Sequence, residues 1–199
     1  MSKEQELLEK IKAIKSVDQE IEKKIRANFY NSCPEAKELG GLVNLVAKYG
    51  AMRGTEFPEI SKKAMMLMVG DHGVAKYNVS AYPQEVTYQM TRGYLKGIAP
   101  ANAMARHAKM DVVITDVGMN FDMSAFEGMN HRKIDWGTKS FTQGPAMTRE
   151  QAVESILIGM ELTEEKVGEG YGLFVLAEMG IGNTTASAAI AAAFCGLTA

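Results

Sequence analysis

The fold class of this chain is decided by one stretch near its carboxyl end, Ala177-Glu178-Met179-Gly180-Ile181-Gly182-Asn183-Thr184-Thr185. It follows a short apolar run at residues 173–176 and precedes an alanine-rich segment at residues 186–194. Alanine has the highest helix propensity, so the later segment is predicted to be a helix. The apolar run is predicted to be a strand, and the order strand, glycine turn, helix is typical of a parallel α/β sheet.

The two-glycine turn is a candidate anion site. Gly180 and Gly182 allow a tight turn and the close approach of a ligand to the backbone. We expect side-chain oxygens of Asn183, Thr184 and Thr185 to cap the helix, whose free N–H groups face the crevice at the carboxyl ends of the strands. Phosphate is the natural occupant, and a plain strand-to-helix turn without a ligand is an equally weighted alternative.

The chain lacks the sequence motifs of several known classes of enzyme and ligand-binding protein. No lysine follows the glycines, which excludes a P-loop, and Thr185 stands where the dinucleotide fingerprint needs a third glycine. The chain has no G-x-S-x-G sequence of serine hydrolases. Its three histidines lack metal-binding spacing, so we expect no metal site.

Two further strands are predicted, at residues 64–69 and 111–117, because these runs are apolar or β-branched. Between and around them, periodicity, proline positions and capping boxes (Ser2 with Gln5, Thr148 with Gln151) predict helices at residues 3–28, 36–51, from 83, 100–109 and 148–162. The first helix has one apolar stripe, which suits packing on its own domain or a dimerisation arm. Alternating strands and helices indicate a parallel sheet with right-handed crossovers.

Residues 119–147 show no regular period. A segment of this length is uncommon inside a compact domain unless it carries a function or hidden structure. We predict an extended piece at residues 133–141. We divide the chain into an N-terminal helical segment, residues 1–58, and an α/β nucleotide-binding domain, residues 59–199.

Composition narrows the class of partner. The chain has 199 residues, a net charge of −2 and no basic excess, so we expect no nucleic-acid partner. No secretory signal and no apolar run of membrane-spanning length are visible, so we expect no membrane partner. Two cysteines without C-x-x-C spacing fit a reducing compartment, and a cytoplasmic protein is expected.

Two polar groups follow the first predicted strand. Asp71 and His72 are either an acid–base pair or a hydrogen-bonded turn, and the turn is favoured. Uncharged polar and aromatic side chains cluster around the start of the next predicted helix. Such a cluster suits a flat, uncharged heterocycle, because an aromatic side chain can stack on its face and hydroxyl or amide groups can bind its ring nitrogens. Helix capping and the usual polar side chains of an exposed loop are favoured as the origin of this cluster, whose members are Ser80, Tyr82, Gln84 and Gln89.

Four blocks in this order resemble the nicotinate-nucleotide–dimethylbenzimidazole phosphoribosyltransferase family. The resemblance covers most of the chain after about residue 39, and the last block is the most specific. The blocks are Gly70-Asp71-His72-Gly73-Val74, Val79-Ser80-Ala81-Tyr82-Pro83-Gln84-Glu85-Val86-Thr87, Gly144-Pro145-Ala146-Met147-Thr148-Arg149-Glu150, and Glu178-Met179-Gly180-Ile181-Gly182-Asn183-Thr184-Thr185.

The resemblance implies a Rossmann-like parallel sheet flanked by helices, a homodimer, and neither metal nor cofactor. It implies that a lower-ligand base such as 5,6-dimethylbenzimidazole attacks the ribose of nicotinate mononucleotide, with inversion and release of nicotinate, in cobamide (vitamin B12) biosynthesis. It implies base binding by Ser80, Tyr82 and Gln89. It places the nucleotide and its phosphate at Gly180, Gly182, Asn183 and Thr184, with Glu178 as an auxiliary, electrostatic catalytic residue.

The chain departs from the family pattern in two places. The family's K-P-P-G-S-L-G-like stretch is replaced by residues 33–40, in which only Leu39-Gly40 is kept. Family members continue past Ala199, and their general-base glutamate is expected there. The chain therefore looks like an N-terminal portion, and the alternative function is a non-catalytic base- or nucleotide-binding subunit that needs a separate C-terminal partner.

Overall fold

The computed structural model describes residues 1–196. These divide into two compact units, residues 8–60 and residues 1–7 together with those from Ser61 onward. The helices are α1 (Lys3–Ala13), α2 (Gln19–Ser32), α3 (Gly41–Arg53), α4 (Glu85–Leu95), α5 (Pro100–His107), α6 (Arg149–Gly168) and α7 (Asn183–Cys195). The strands are β1 (Lys62–Gly70), β2 (Asp111–Gly118), β3 (Asn130–His131) and β4 (Tyr171–Met179).

The four strands form one parallel sheet in the order β3-β2-β1-β4, which confirms the predicted α/β class. The connection that leads to β2 and the connection that leads to β4 each contain a helix. Such crossovers are needed because the chain must return to the other end of the sheet before the next parallel strand begins. The register pairs Val69 of β1 with Asp116 of β2 and Met179 of β4. The carboxyl ends of β1, β2 and β4 therefore meet at one edge of the sheet.

Strand β1 is buried on both faces, as its uninterrupted apolar sequence predicts. One face carries Leu67 and Val69, which pack in a core that Tyr88, Tyr94 and Leu95 of α4 help to cover. The opposite face carries Ala64 and Met66, which pack with residues of α6. The helices α4 and α6 therefore flank the sheet on opposite sides.

The prediction of one helix over residues 3–28 is wrong, because the chain breaks between α1 and α2. Asp18 caps α2 by accepting hydrogen bonds from the backbone N–H of Glu20 at 2.9 Å and Ile21 at 3.1 Å. A short aspartate side chain competes with helical bonding and so favours a new helix start at this point.

The second predicted helix, residues 36–51, is also divided. A 3-10 helix occupies Pro34–Leu39, and α3 begins after Gly40, whose φ of +56° interrupts the helical backbone. Gly54 ends α3 in the left-handed conformation that glycine favours, and Gly50 lies inside the helix. A Cβ on Gly50 would lie 2.2 Å from the Ile25 Cδ1 atom, so glycine permits α2 and α3 to pack closely.

The expected extended piece at residues 133–141 does not form a strand. The strand in this region is β3, whose two residues pair with Thr115 and Asp116 of β2. Lys133 instead fastens the segment, since its ammonium donates to the Phe121 carbonyl at 2.7 Å and lies 3.3 Å from the Asp116 carboxylate. Side-chain contacts with sequence-distant groups replace backbone pairing here.

Both predicted capping boxes are confirmed. At α1, Ser2 and Gln5 exchange hydrogen bonds between side chain and backbone. At α6, Thr148 and Gln151 do the same, and this helix extends to Gly168, beyond the predicted end. The longer α6 covers the sheet face that carries Ala64 and Met66.

Candidate functional site

Glu178 lies near the carboxyl end of β4 and is held there by contacts from two other segments. One of its oxygens, Oε1, lies 3.0 Å from Nε2 of His72, which follows β1. Its other oxygen, Oε2, accepts a hydrogen bond from the Nδ2 amide of Asn183, the first residue of α7. The Glu178 side chain is 40% exposed, so the carboxylate is both held and accessible.

Gly180 makes this arrangement possible. A Cβ atom at this position would lie 2.1 Å from the Gly70 carbonyl oxygen and 2.8 Å from Cδ2 of His72. Only glycine lets the turn approach β1 so closely. Gly182, with φ of +91°, is the N-cap of α7 in the left-handed conformation that glycine favours.

The expectation that Asn183, Thr184 or Thr185 caps α7 with a side-chain oxygen is wrong. The N-cap is Gly182 and no side chain caps the helix, because the Asn183 side chain is engaged by Glu178. The backbone N–H of Asn183 donates to the Gly180 carbonyl at 3.0 Å, while no described backbone carbonyl accepts from Thr184 or Thr185. Free N–H groups at a helix start attract an anion.

Thr87 of α4 connects that helix to the glycine turn. It is fully buried, and its Oγ1 accepts the backbone N–H of Ile181 at 3.0 Å. Thr91, one helical turn later, donates its hydroxyl to the Thr87 carbonyl at 2.8 Å. Sequence reasoning missed Thr87 because its partner lies 94 residues away, and a threonine inside a helix gives no signal of such a contact.

The negative charge of Glu178 also affects the pKa of a side chain on the opposite face of the sheet. Burial raises the pKa of the Tyr94 phenol on α4, and the negative charge of Glu178 raises this pKa further.

A cavity of about 210 Å³, the edge chamber, opens beside Glu178 on the α6 side of the sheet. Its walls are mainly apolar, with acidic and amide groups at a few points. The lining includes Asp71, His72, Asp135, Met147, Gln151 and Glu178. An apolar cavity with a few convergent polar groups is the usual form of a small-molecule site.

Asp71 lines the edge chamber but is not paired with His72. The side chain is 5% exposed, and its Oδ2 accepts the backbone N–H of Asn120 at 2.8 Å. Its Oδ1 is buried without a hydrogen-bond partner in the described part of the chain. The geometry therefore resembles the hydrogen-bonded turn, while His72 is directed to Glu178.

The aperiodic segment forms the outer wall of the chamber. Thr138 fastens it to the strand end, because its N–H donates to the Asp71 carbonyl at 2.9 Å and its Oγ1 accepts the Gly73 N–H at 3.2 Å. Thr138 also lines two neighbouring cavities, one of which includes Gln84. The sequence indicated either a function or hidden structure for residues 119–147 but did not single out Thr138.

The three expected base-binding residues lie before and on α4. Ser80 Oγ accepts the Tyr82 N–H at 3.1 Å, the Tyr82 side chain is 65% exposed, and Gln89 is exposed on α4. Within the described residues, no hydrogen bond joins any of them to Glu178 or to the glycine turn. The structure thus groups Glu178 with the turn residues and leaves the base-binding set apart from the edge chamber.

Two features are absent from residues 1–196. No group of three or more histidine, cysteine or acidic side chains there is placed to hold a metal ion. Over the same residues, no helix has the length and apolar character needed to cross a membrane.

Comparison with known sequences gives a family and a set of relatives. A family model described as "Phosphoribosyltransferase" matches residues 14–199. The nicotinate-nucleotide–dimethylbenzimidazole phosphoribosyltransferase of Geobacter sulfurreducens is 41% identical over 191 residues, covering 96% of this chain and 54% of the relative. The enzyme of that name from Acetivibrio thermocellus is 42% identical over 152 residues, covering 76% and 43% respectively.

Solved structures give the same picture. CobT from Thermus thermophilus superposes with a TM-score of 0.82 at 39% identity, covering 89% of this chain and 54% of that chain. The chain therefore spans about half the length of the relatives that it matches.

Proposed function

The chain belongs to the phosphoribosyltransferase family, and from that premise we propose that it acts in phosphoribosyl transfer from nicotinate mononucleotide to a lower-ligand base such as 5,6-dimethylbenzimidazole. The products are α-ribazole 5′-phosphate and nicotinate, and the pathway is cobamide biosynthesis. The observation that supports this most is the accessible Glu178 carboxylate, held by His72 and Asn183 beside the start of α7.

In the proposed reaction, the phosphate binds at the start of α7, at Gly182, Asn183 and Thr184, where the Thr184 N–H has no described backbone acceptor, while Gly180 brings the turn close to the ligand. This anchor places the ribose beside Glu178. A ring nitrogen of the base attacks the anomeric carbon, the glycosidic bond breaks, and nicotinate leaves with its electron pair. Positive charge grows on the ribose as that bond breaks, and the nearby carboxylate stabilises it.

The base is proposed to bind at Ser80, Tyr82 and Gln89. The exposed Tyr82 ring is free to stack on a flat heterocycle, and Ser80 and Gln89 offer hydroxyl and amide groups to its ring nitrogens. Support comes from Thr87, which ties α4 to the nucleotide turn and so links the two binding regions. The proton released by the base passes to a general base, which the resemblance leads us to expect in a glutamate outside residues 1–199.

The remaining expectations belong to the same proposal. Residues 59–199 are proposed as the nucleotide-binding domain of a cytoplasmic homodimer that needs no cofactor or metal and binds neither nucleic acid nor membrane. The net charge of −2 supports the absence of nucleic-acid binding, since phosphate backbones are bound by basic excess.

The test is nicotinate release from nicotinate mononucleotide and dimethylbenzimidazole, followed by chromatography. We expect Glu178→Gln to lower the rate by about 10²- to 10³-fold, the loss typical when one electrostatic stabiliser is removed. Glu127→Gln is the matched control, because Glu127 is exposed on a loop of the same unit. The assay uses a protein that contains residues 1–199 together with the part expected to carry the general base. If this protein releases no nicotinate with any benzimidazole, purine or phenolic acceptor, the proposed function is wrong.

A second candidate is a non-catalytic base- or nucleotide-binding subunit. The observation that favours it is the exposed apolar surface of α7, in which no residue is buried and Phe194 is 88% exposed. Such a surface suits a partner chain. Calorimetry separates the candidates: micromolar nucleotide binding without turnover supports the binding subunit, and turnover supports the enzyme.

A further inference from the structure

We infer, on the basis of the proposed function, that His72 is a positioning residue for Glu178: its imidazole fixes the carboxylate in the orientation that meets the sugar. His72 is placed at the end of β1 and Glu178 near the end of the neighbouring β4, where Met68 pairs with Glu178. The strand pairing therefore sets the backbone separation, and the imidazole closes the remaining gap to a 3.0 Å contact.

Both carboxylate oxygens of Glu178 are engaged. Oε1 faces Nε2 of His72, and Oε2 accepts from the amide of Asn183. A glutamate at an exposed strand end otherwise samples several rotamers, and each lost rotamer has an entropic cost. Two donors from two different elements remove that freedom before a ligand arrives, which is the condition for electrostatic preorganisation.

The His72 backbone is itself held in place. The Asp71 N–H donates to the Gly118 carbonyl at 2.9 Å, and the His72 carbonyl accepts from Ala75 at 2.9 Å. On the other side, the Gly73 N–H donates to Thr138 Oγ1 at 3.2 Å, and a Cβ on Gly73 would lie 2.4 Å from the Thr138 carbonyl oxygen. The imidazole is thus carried by a rigid strand end, as a positioning group requires.

The imidazole is the one basic side chain among groups that are otherwise acidic or neutral. Of the described residues that line the edge chamber, His72 is the one basic group, and Asp71, Asp135 and Glu178 are acidic. With a proton on Nε2, the imidazole donates a hydrogen bond to Glu178 Oε1. This hydrogen bond fixes the position of the carboxylate beside the place where the ribose is proposed to lie.

Steady-state kinetics of nicotinate release separates positioning from general support of the fold. We expect His72→Ala to lower kcat by up to about 100-fold, the cost of a misplacement of roughly 1 Å, with KM for nicotinate mononucleotide changed less than twofold. His72→Gln carries an Nε2 amide that reaches the same oxygen, so it recovers part of the loss. An unchanged kcat in His72→Ala, or a loss confined to KM, overturns the inference.

Long-range ¹H–¹⁵N spectra of the imidazole rings test the contact without turnover. We expect His72 to carry its proton on Nε2 in the wild-type chain, and Glu178→Ala to shift that resonance while those of His107 and His131 stay in place. A His72 ring that is insensitive to Glu178→Ala overturns the inference alone. A protein that contains this chain and the expected general base, shows the contact and still releases no nicotinate contradicts the proposed function, so the two failures are distinguishable.

Discussion

Gly180 is the residue of the site that tolerates substitution least. An added Cβ would collide with the Gly70 carbonyl oxygen at 2.1 Å and approach the Glu178 carboxylate at 2.7 Å. Because a backbone atom cannot move aside, we expect Gly180→Ala to displace the turn and lower stability by about 1–3 kcal/mol, the range for overpacked sites. We also expect nicotinate mononucleotide affinity to fall at least tenfold, measured by calorimetry alongside urea denaturation.

Gly159→Ala is the control for that substitution. Gly159 lies inside α6, and nothing is within 4 Å of its added Cβ. Replacing glycine in a helix interior is expected to raise stability by about 0.5–1 kcal/mol. If Gly180→Ala behaves like Gly159→Ala in both measurements, the close approach of the turn to β1 is not required.

The sequence predicted the chemistry-bearing residues of the turn better than their partners. Glu178, Gly180 and Asn183 stand within six consecutive positions, so local strand–turn–helix logic finds them. His72 is 106 residues from Glu178, and its contact depends on which strands are neighbours. The direction of the Asn183 side chain could not be predicted from its neighbours in sequence either. The same short side chain can cap its own helix or bond to Glu178, and the local sequence does not decide between the two.

At the scale of elements, contacts of the Lys133 ammonium hold the segment that follows β2 in place. Its ammonium lies 3.3 Å from the Asp116 carboxylate, whose side chain is only 2% exposed. Asp116 Oδ1 also accepts the N–H groups of Gly118 and Met119 at 3.0 and 2.9 Å. We expect Lys133→Met to lower the free energy of unfolding by roughly 3 kcal/mol, because it leaves a buried carboxylate without its cation. Chemical denaturation measures the loss.

Two further variants identify the cause of that loss. Lys139→Met removes an exposed lysine of the same segment and is expected to change stability by less than about 0.5 kcal/mol. Adding Asp116→Asn to Lys133→Met removes the uncompensated charge and should recover part of the stability. Equal losses in the single and double variants would assign the effect to loss of the contact between the Lys133 ammonium and the Trp136 ring instead.

The elements that were predicted correctly are those with strong local signals. Strands β1 and β2, the proline start of α5 and the capping box of α6 follow from apolar runs and terminal residues. The break before α2 and the course of residues 133–141 did not follow from local signals. Asp18 caps a new helix although the apolar periodicity is unbroken, and Lys133 contacts groups that are distant in sequence. Periodicity reports which face is apolar, but it does not report where the backbone turns.

At the scale of the whole molecule, β4 leaves one edge of the sheet open. Among the described strands it pairs with β1 alone, and Leu176 in its middle is 83% exposed. The following helix adds Ile190 at 59% and Phe194 at 88% exposure. An apolar strand with unpaired backbone groups is a template for association, so we expect the 199-residue chain to self-associate as its concentration rises.

Leu176→Lys tests this expectation in sedimentation equilibrium. Burying a leucine side chain contributes about 1.5–3 kcal/mol, and a tenfold change in Kd corresponds to about 1.4 kcal/mol, so the variant should associate at least tenfold more weakly. Met104→Lys is the matched control, because Met104 is 73% exposed but lies on α5 rather than at the open edge. Equal weakening by both variants would indicate a general effect of added charge, and a wild-type chain that stays monomeric at all concentrations would show that β4 resists pairing by itself.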